Sequence, residues 1–200
     1  MQPGLSKSLR LGYDGITMLA LIALALAAGA ALPVEGNPQS RVKVLVYEDL
    51  QCPDCAAFRR MMDDHLLPRF AAKVAFVHKD FPLAKHAWAR PAAIAGRHFA
   101  SLGAEIGVQY RRWIMANIRQ ITVDTFRDKI AEFARSHGAD AEAAVKALEN
   151  PDLAALVERD FQEGVARGVV KTPTVFVSGR PFIERFSVED LAAAIDQALQ

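Results

Sequence analysis

The only two cysteines among 200 residues lie three positions apart, in "LQCPDCAAF" (residues 50–58). A pair at that spacing has three chemistries open to it: half of a metal site, a structural disulfide, or a centre that makes and breaks disulfides. Zinc takes four protein ligands, or three and a water. Here one pair stands alone, and the five histidines (His65, His78, His86, His98 and His137) fall at no tight ligand spacing. His65 and His137 sit in charged helical surroundings that suit solvated surface. A Cys52–Cys55 bridge closes a very short loop, and cross-link stabilisation grows with loop length. A purely structural role is therefore poorly served. A redox centre suits the surroundings best, because Cys52 stands where an apolar run gives way to a helical pattern. At a helix N-terminus the unpaired N–H groups and the macrodipole favour a thiolate. A lowered thiol pKa populates the nucleophile and improves the leaving group. Cys55, one turn further in, is placed to be shielded and to act as the resolving thiol. Pro53 is tolerated in a first turn because its missing N–H has no helical partner there.

The elements that must hold this pair follow from periodicity. "RVKVLVY" (residues 41–47) reads as a strand buried on both faces. "AAFRRMMDDHLLPRF" then places Phe58, Met61, Met62, Leu66 and Phe70 at helical intervals, and "KVAFVHKDF" (73–81) is a second strand closed by Pro82. Strand, helix and strand in this order make a βαβ unit with parallel pairing. From about residue 85 to 168 the pattern is helical, with Thr122, Gly138 and Asn150-Pro151 as boundaries. "PTVFVSGRPFIERF" reads as a hairpin around Ser178-Gly179, and "SVEDLAAAIDQAL" as a closing helix capped by Ser187. The order βαβ, helical block, ββα predicts a thioredoxin-like α/β fold with an inserted helical domain, spanning residues 41–200.

The first 40 residues differ from the rest. Lys7 and Arg10 precede an uncharged run, residues 16–32, and Ala28-Gly29-Ala30 fits a small-x-small cleavage pattern. Residues 1–32 are thus expected to be an export signal, with a retained membrane anchor as the alternative because the run reaches the lower limit for a span. "PVEGNPQS" (33–40) reads as a linker. Either way the domain is expected outside the cytoplasm, in the periplasm or an equivalent space, where disulfides persist. The 24 basic and 23 acidic residues balance without runs of like charge, which argues against nucleic-acid partners.

Three stretches, "YEDLQCPDC", "AFVHKDFPL" and "GVVKTPTVFVSG", occur in an order that resembles the DsbA-like branch of thioredoxin-fold thiol–disulfide oxidoreductases. The resemblance covers roughly residues 41–199. It implies an exported enzyme that forms, reduces or isomerises disulfides in other exported proteins through a Cys52–Cys55 redox pair. It implies no cofactor beyond that pair, substrates that are reduced or misoxidised exported proteins, and a redox partner that recycles the enzyme. It also implies that Thr172-Pro173 is a cis bond beside the cysteines, presenting the Thr172 backbone to a substrate strand.

Two departures from the family pattern carry expectations of their own. A buried acid six positions before the first cysteine is replaced by Val46, while Glu48 and Asp49 are expected to point elsewhere. Asp54 stands where strongly oxidising members have histidine. Its charge is expected to oppose the Cys52 thiolate, with Lys171 offsetting part of the effect, which sets the potential between those of thioredoxin and DsbA. An exported peptide-binding or chaperone module without turnover, or a metal-handling protein, is the alternative reading. In "HAWARPAAIAGRHF" and "YRRWIMANI" the aromatics are expected in the core, with the basic residues on a solvated face.

Overall fold

The structure, a computed structural model, describes residues 33–200. The expected export segment, residues 1–32, lies outside the described residues. The chain runs through β1 (Val34–Gly36), β2 (Lys43–Glu48) and α1 (Pro53–Met61). A π-helical turn (Met62–Leu66) joins α1 to α2 (Leu67–Phe70), followed by β3 (Ala75–Asp80). The helical block comprises α3 (Ala89–Leu102), α4 (Ala104–Ala116), α5 (Phe126–Ser136), α6 (Ala141–Lys146), a single 3-10 turn, and α7 (Pro151–Ala166). The hairpin β4 (Thr174–Val177) and β5 (Arg180–Ile183) and the closing helix α8 (Val188–Ala198) complete the chain.

The five strands are ordered β1-β3-β2-β4-β5. β2 and β3 are parallel, as a crossover through α1 requires, and the other pairs are antiparallel. Alternation along the strands divides the core. Val44, Val46, Phe76, Val175 and Val177 pack with Phe58, Met62 and Leu66 of the first helical segment and with Leu191 and Ile195 of α8. On the other face Tyr47, Phe81 and Phe176 form a small aromatic cluster with Phe161 of α7. A third cluster, inside the helical block, joins Trp88, Phe99, Tyr110, Ile114 and Phe133 to Leu50, Cys52 and Cys55. The cysteines therefore sit where sheet and helical block meet.

Local signals explain most boundaries. Asn150 caps α7 by accepting from the N–H groups of Asp152 and Leu153, with Pro151 in the first turn. Ser187 caps α8 through the N–H of Asp190. Ser178 and Gly179 both take positive φ, the two-residue turn that matches strand twist. The π-turn falls just before Pro68, which cannot donate to the carbonyl four residues back.

The linker expected over residues 33–40 is corrected. Val34–Gly36 is an edge strand paired antiparallel with β3, and the Ser40 hydroxyl donates to the Lys73 carbonyl at 2.6 Å. Gly36 has φ +85°, and a Cβ there would lie 2.3 Å from the Val74 carbonyl oxygen. The glycine that suggested a linker permits this close strand approach instead.

Candidate active site

Cys52 is the N-cap of α1, with extended backbone at φ −82° and ψ 124°, and its carbonyl accepts the first helical bond from Ala56 at 3.0 Å. Pro53 follows in the first turn. The two sulfurs are unbonded thiols in this structure, and both side chains are buried. They are not equivalent. The hydrogen bond from the Cys55 thiol is the largest influence on Cys52. Partial burial opposes ionisation, but the backbone N–H of Cys55, the Thr172 side chain and the backbone N–H of Asp54 add to the first effect. Together they hold the Cys52 thiol at about 6, against an ordinary value of 9.0. For Cys55, burial pushes the thiol up, and its bond to Cys52 and the negative charge there push the same way. One thiol is thus poised as a thiolate at neutral pH and the other is held protonated.

The C-terminal part of the chain closes over this pair. The Thr172–Pro173 peptide bond is cis, and the Cys52 thiol donates to the Thr172 carbonyl at 3.5 Å, across 120 residues of sequence. The Thr172 hydroxyl is buried with no other partner among the described residues. Beside Cys52 lies a groove of about 320 Å³, lined by two segments, Leu83–Lys85 and Val170–Thr172, together with Asp54 and Glu184.

Cys52, Pro53, Asp54, Cys55, Lys171, Thr172 and Pro173 are accordingly brought to one place, but two of them act differently from expectation. Asp54 is exposed and influences Cys52 through its backbone N–H, which favours the thiolate. A carboxylate directed to solvent is screened, whereas an N–H aimed at the sulfur is not. Lys171, expected to offset Asp54 at Cys52, instead has its ammonium bonded to Glu184 Oε2 at 2.7 Å, on the rim of the groove.

The carboxylates of Glu48 and Asp49 are each committed to partners of their own, although the Glu48 charge still reaches Cys55 and helps to raise its thiol. Glu48 Oε1 lies 2.9 Å from His78 Nδ1 and accepts from Arg111 Nη1 at 2.7 Å. It belongs to a buried ionic lattice. Glu35 lies 2.9 Å from His78 Nε2 and also pairs with Arg59 and Arg112. Asp80 pairs with Arg97 and Arg111, and Asp160 with Arg97 and Lys79. Burial opposes charge on Glu35, but bonds and charges from His78 and Arg59 hold it at about 2. Burial likewise opposes charge on His78, yet the flanking Glu48 and Glu35 raise it above 6.5. The lattice overturns the solvated-face expectation for Arg97 and Arg111, both of which are buried. Their guanidinium groups reach back over the sheet to carboxylates at the ends of β2 and β3. Arg59 serves the cysteines indirectly, since it ties α1 to Glu35 of β1 and to Asp63.

In the sequence Asp49 is only an acid expected to point elsewhere, with no role assigned. The signal available was an acid three residues before a helix-capping cysteine, a position from which a side chain accepts backbone N–H groups of the turn.

This dithiol at a helix start, beside a cis-proline loop at the ends of the inner strands of a mixed sheet, is the arrangement of the thioredoxin class. Residues 31–197 match the family described as thioredoxin, and the chain belongs to that family. Within it the fold is DsbA-like. A structure similar to this one, alpha-DsbA1 of Wolbachia pipientis, superposes with a TM-score of 0.73 at 14% identity, covering 84% of this chain and 90% of that one. Among curated proteins, RC0029 of Rickettsia conorii, whose name provisionally calls it a protein-disulfide oxidoreductase, is 26% identical over 176 residues. The Na(+)/H(+) antiporter NhaA of Herminiimonas arsenicoxydans is 27% identical over 164 residues. These matches take in 84% and 82% of this chain, but only 60% and 25% of the two relatives.

Proposed function

We propose that the protein is an exported thiol–disulfide oxidoreductase acting on disulfides of other exported proteins through Cys52 and Cys55. The observation that carries this reading is the placement of the pair, with Cys52 capping α1 beside the cis Thr172–Pro173 bond and its sulfur 3.5 Å from the Thr172 carbonyl, and Cys55 fully buried one turn further in. In the oxidising direction a substrate thiolate attacks Cys52 Sγ of the Cys52–Cys55 disulfide. The S–S bond breaks, its electron pair goes to Cys55 Sγ, and that sulfur takes up a proton because burial favours its neutral form. A mixed disulfide now joins substrate to Cys52. A second substrate thiol, having lost its proton, attacks the substrate sulfur of that bond and releases Cys52 as a thiolate. The substrate is oxidised by two electrons and the pair is reduced by two. Reversal of the same steps reduces or rearranges disulfides.

Stabilising the Cys52 thiolate stabilises the reduced pair and makes the protein more oxidising. A Cys52 value of about 6 falls between the roughly 7 of thioredoxin and roughly 3.5 of DsbA. The potential of this couple is accordingly expected between theirs. The groove beside Cys52 receives an extended peptide against the Thr172 backbone, a mode of pairing that tolerates many sequences. Export rests on the sequence of residues 1–32, whether that segment is cleaved or kept as an anchor, and on the need of disulfide chemistry for an oxidising compartment. Among the described residues no helix is long and apolar enough to cross a membrane. Recycling requires a redox partner, membrane-bound or soluble.

The test is a trap. A Cys55→Ala chain mixed with a disulfide-bearing peptide accumulates a covalent adduct on Cys52, read by intact mass and released by dithiothreitol. A Cys52→Ala chain accumulates none. Absence of the adduct in Cys55→Ala, with Cys52 still alkylatable, overturns the proposal.

A further inference from the structure

Asp49 is buried and lies three residues before Cys52. Its polar atoms bond to the turn that carries both cysteines and to one segment lining the groove. The backbone carbonyl accepts from the Cys52 N–H at 3.0 Å. The backbone N–H donates to Cys55 Sγ at 3.4 Å. Carboxylate Oδ1 accepts from the Gln51 N–H at 2.7 Å. Oδ2 accepts from the Leu83 N–H at 2.8 Å and lies 2.8 Å from His86 Nδ1. Leu83 begins one of the two segments that line the groove, the other ending at Thr172. A second tie runs alongside, where Gln51 Oε1 accepts from the Trp88 N–H at 2.7 Å.

We infer that Asp49 is a positioning residue for the thiol exchange, fixing the Cys55 sulfur and the Leu83–Lys85 wall of the groove in one frame with Cys52. The inference rests on the proposed exchange reaction and names a residue on which the reaction depends without contact to substrate. A buried carboxylate that merely satisfies loop donors could hold any loop. This one bonds on one side to the turn that carries both thiols and on the other to the wall a peptide must slide against. The two carboxylate oxygens are not interchangeable with an amide. In Asp49→Asn one oxygen becomes an NH2 donor, and in either orientation that donor faces a backbone N–H, of Gln51 or of Leu83. The substitution preserves size and loses one of the two anchors. His86 carries only the outer anchor, so its loss loosens the wall without disturbing the turn.

Two variants separate these roles, with alkylation as a readout that needs no protein substrate. In Asp49→Asn the pH midpoint of Cys52 alkylation by iodoacetamide rises by about half a unit or more, because Cys55 no longer sits squarely against Cys52. In the same variant kcat/KM for a disulfide peptide falls about tenfold or more. In His86→Ala the midpoint stays at its parental value, while alkylation of Cys52 by a bulky maleimide at plateau pH speeds up about threefold. An Asp49→Asn chain with an unmoved midpoint, changed only in melting temperature, overturns the inference and leaves Asp49 a staple of the fold. Unchanged maleimide reactivity in His86→Ala overturns it equally, and that arm decides alone if Asp49→Asn fails to fold. If the parent shows no turnover, the exchange reading fails, while the midpoints still report on Asp49.

Discussion

The dithiol and the ionic lattice lie on neighbouring parts of one molecule and handle charge in opposite ways. At Cys52 a negative charge is favoured with no cation among its main supports: a thiol, backbone N–H groups and a threonine side chain do the work. Behind the sheet, Glu48, Asp80, Glu35 and Asp160 are held ionised or paired by Arg111, Arg97, Arg59, Lys79 and His78. The difference follows from what each region must do. A sulfur that bonds repeatedly to passing partners needs a stabilising field that does not compete for it, and fixed dipoles supply one without a counter-ion. Buried carboxylates that never react can be closed off by guanidinium forks with several donors each.

This contrast can be attacked from several sides. The largest effect is expected in the lattice. Arg111→Leu leaves Glu48 and Asp80 facing each other's charge in the interior, and loss of one partner of a buried pair costs about 3–5 kcal/mol. Chemical denaturation should show that loss. The alkylation midpoint of Cys52 in the still-folded chain should stay near its parental value, and a midpoint that moves by more than about one unit would merge the two regions into one electrostatic system.

The next effect is a pH dependence assigned to His78. Its folded value is raised above 6.5, so its stabilising contribution is fully present below that ordinary value. The contribution is lost as pH rises through the raised folded value, since the neutral ring no longer balances Glu35 and Glu48. Urea midpoints measured upward from about pH 6 should decline, and His78→Gln should flatten that decline. The smallest effect belongs to Asp54. Because its backbone rather than its side chain acts on Cys52, Asp54→Ala should move the alkylation midpoint by less than about one unit. A larger fall would restore the carboxylate to the role that its position in the sequence suggests.

The same contrast decides what could be read from the chain alone. Cys52 and Cys55 are legible because each is a local signal whose meaning depends on its immediate neighbours: a helix start and a fixed spacing. Thr172-Pro173 is legible only through the family resemblance, since a proline at a strand start is by itself ordinary. The βαβ and ββα halves, like the cysteines, are legible locally, through periodicity. The lattice is not, because Arg111 bonds to Glu48 and Asp80 at separations of 63 and 31 residues, and Arg97 to Asp160 at 63. On its own helix each arginine has the look of an ordinary solvated charge. Residues 33–40 misled in the opposite way, since Pro, Gly, Asn and Ser describe a linker wherever no partner strand is known. Only the β3 edge makes Val34–Gly36 a strand.

That edge strand has a mechanical meaning. β1 is the first described element after the N-terminal segment, and its central residue, Glu35, is bolted to Arg59 on the helix that carries the cysteines. A tension entering through residue 33 is borne in shear by three ladder positions and by that bolt. The load passes to α1 and to His78 on the central part of the sheet, so it is shared before it reaches the thiols.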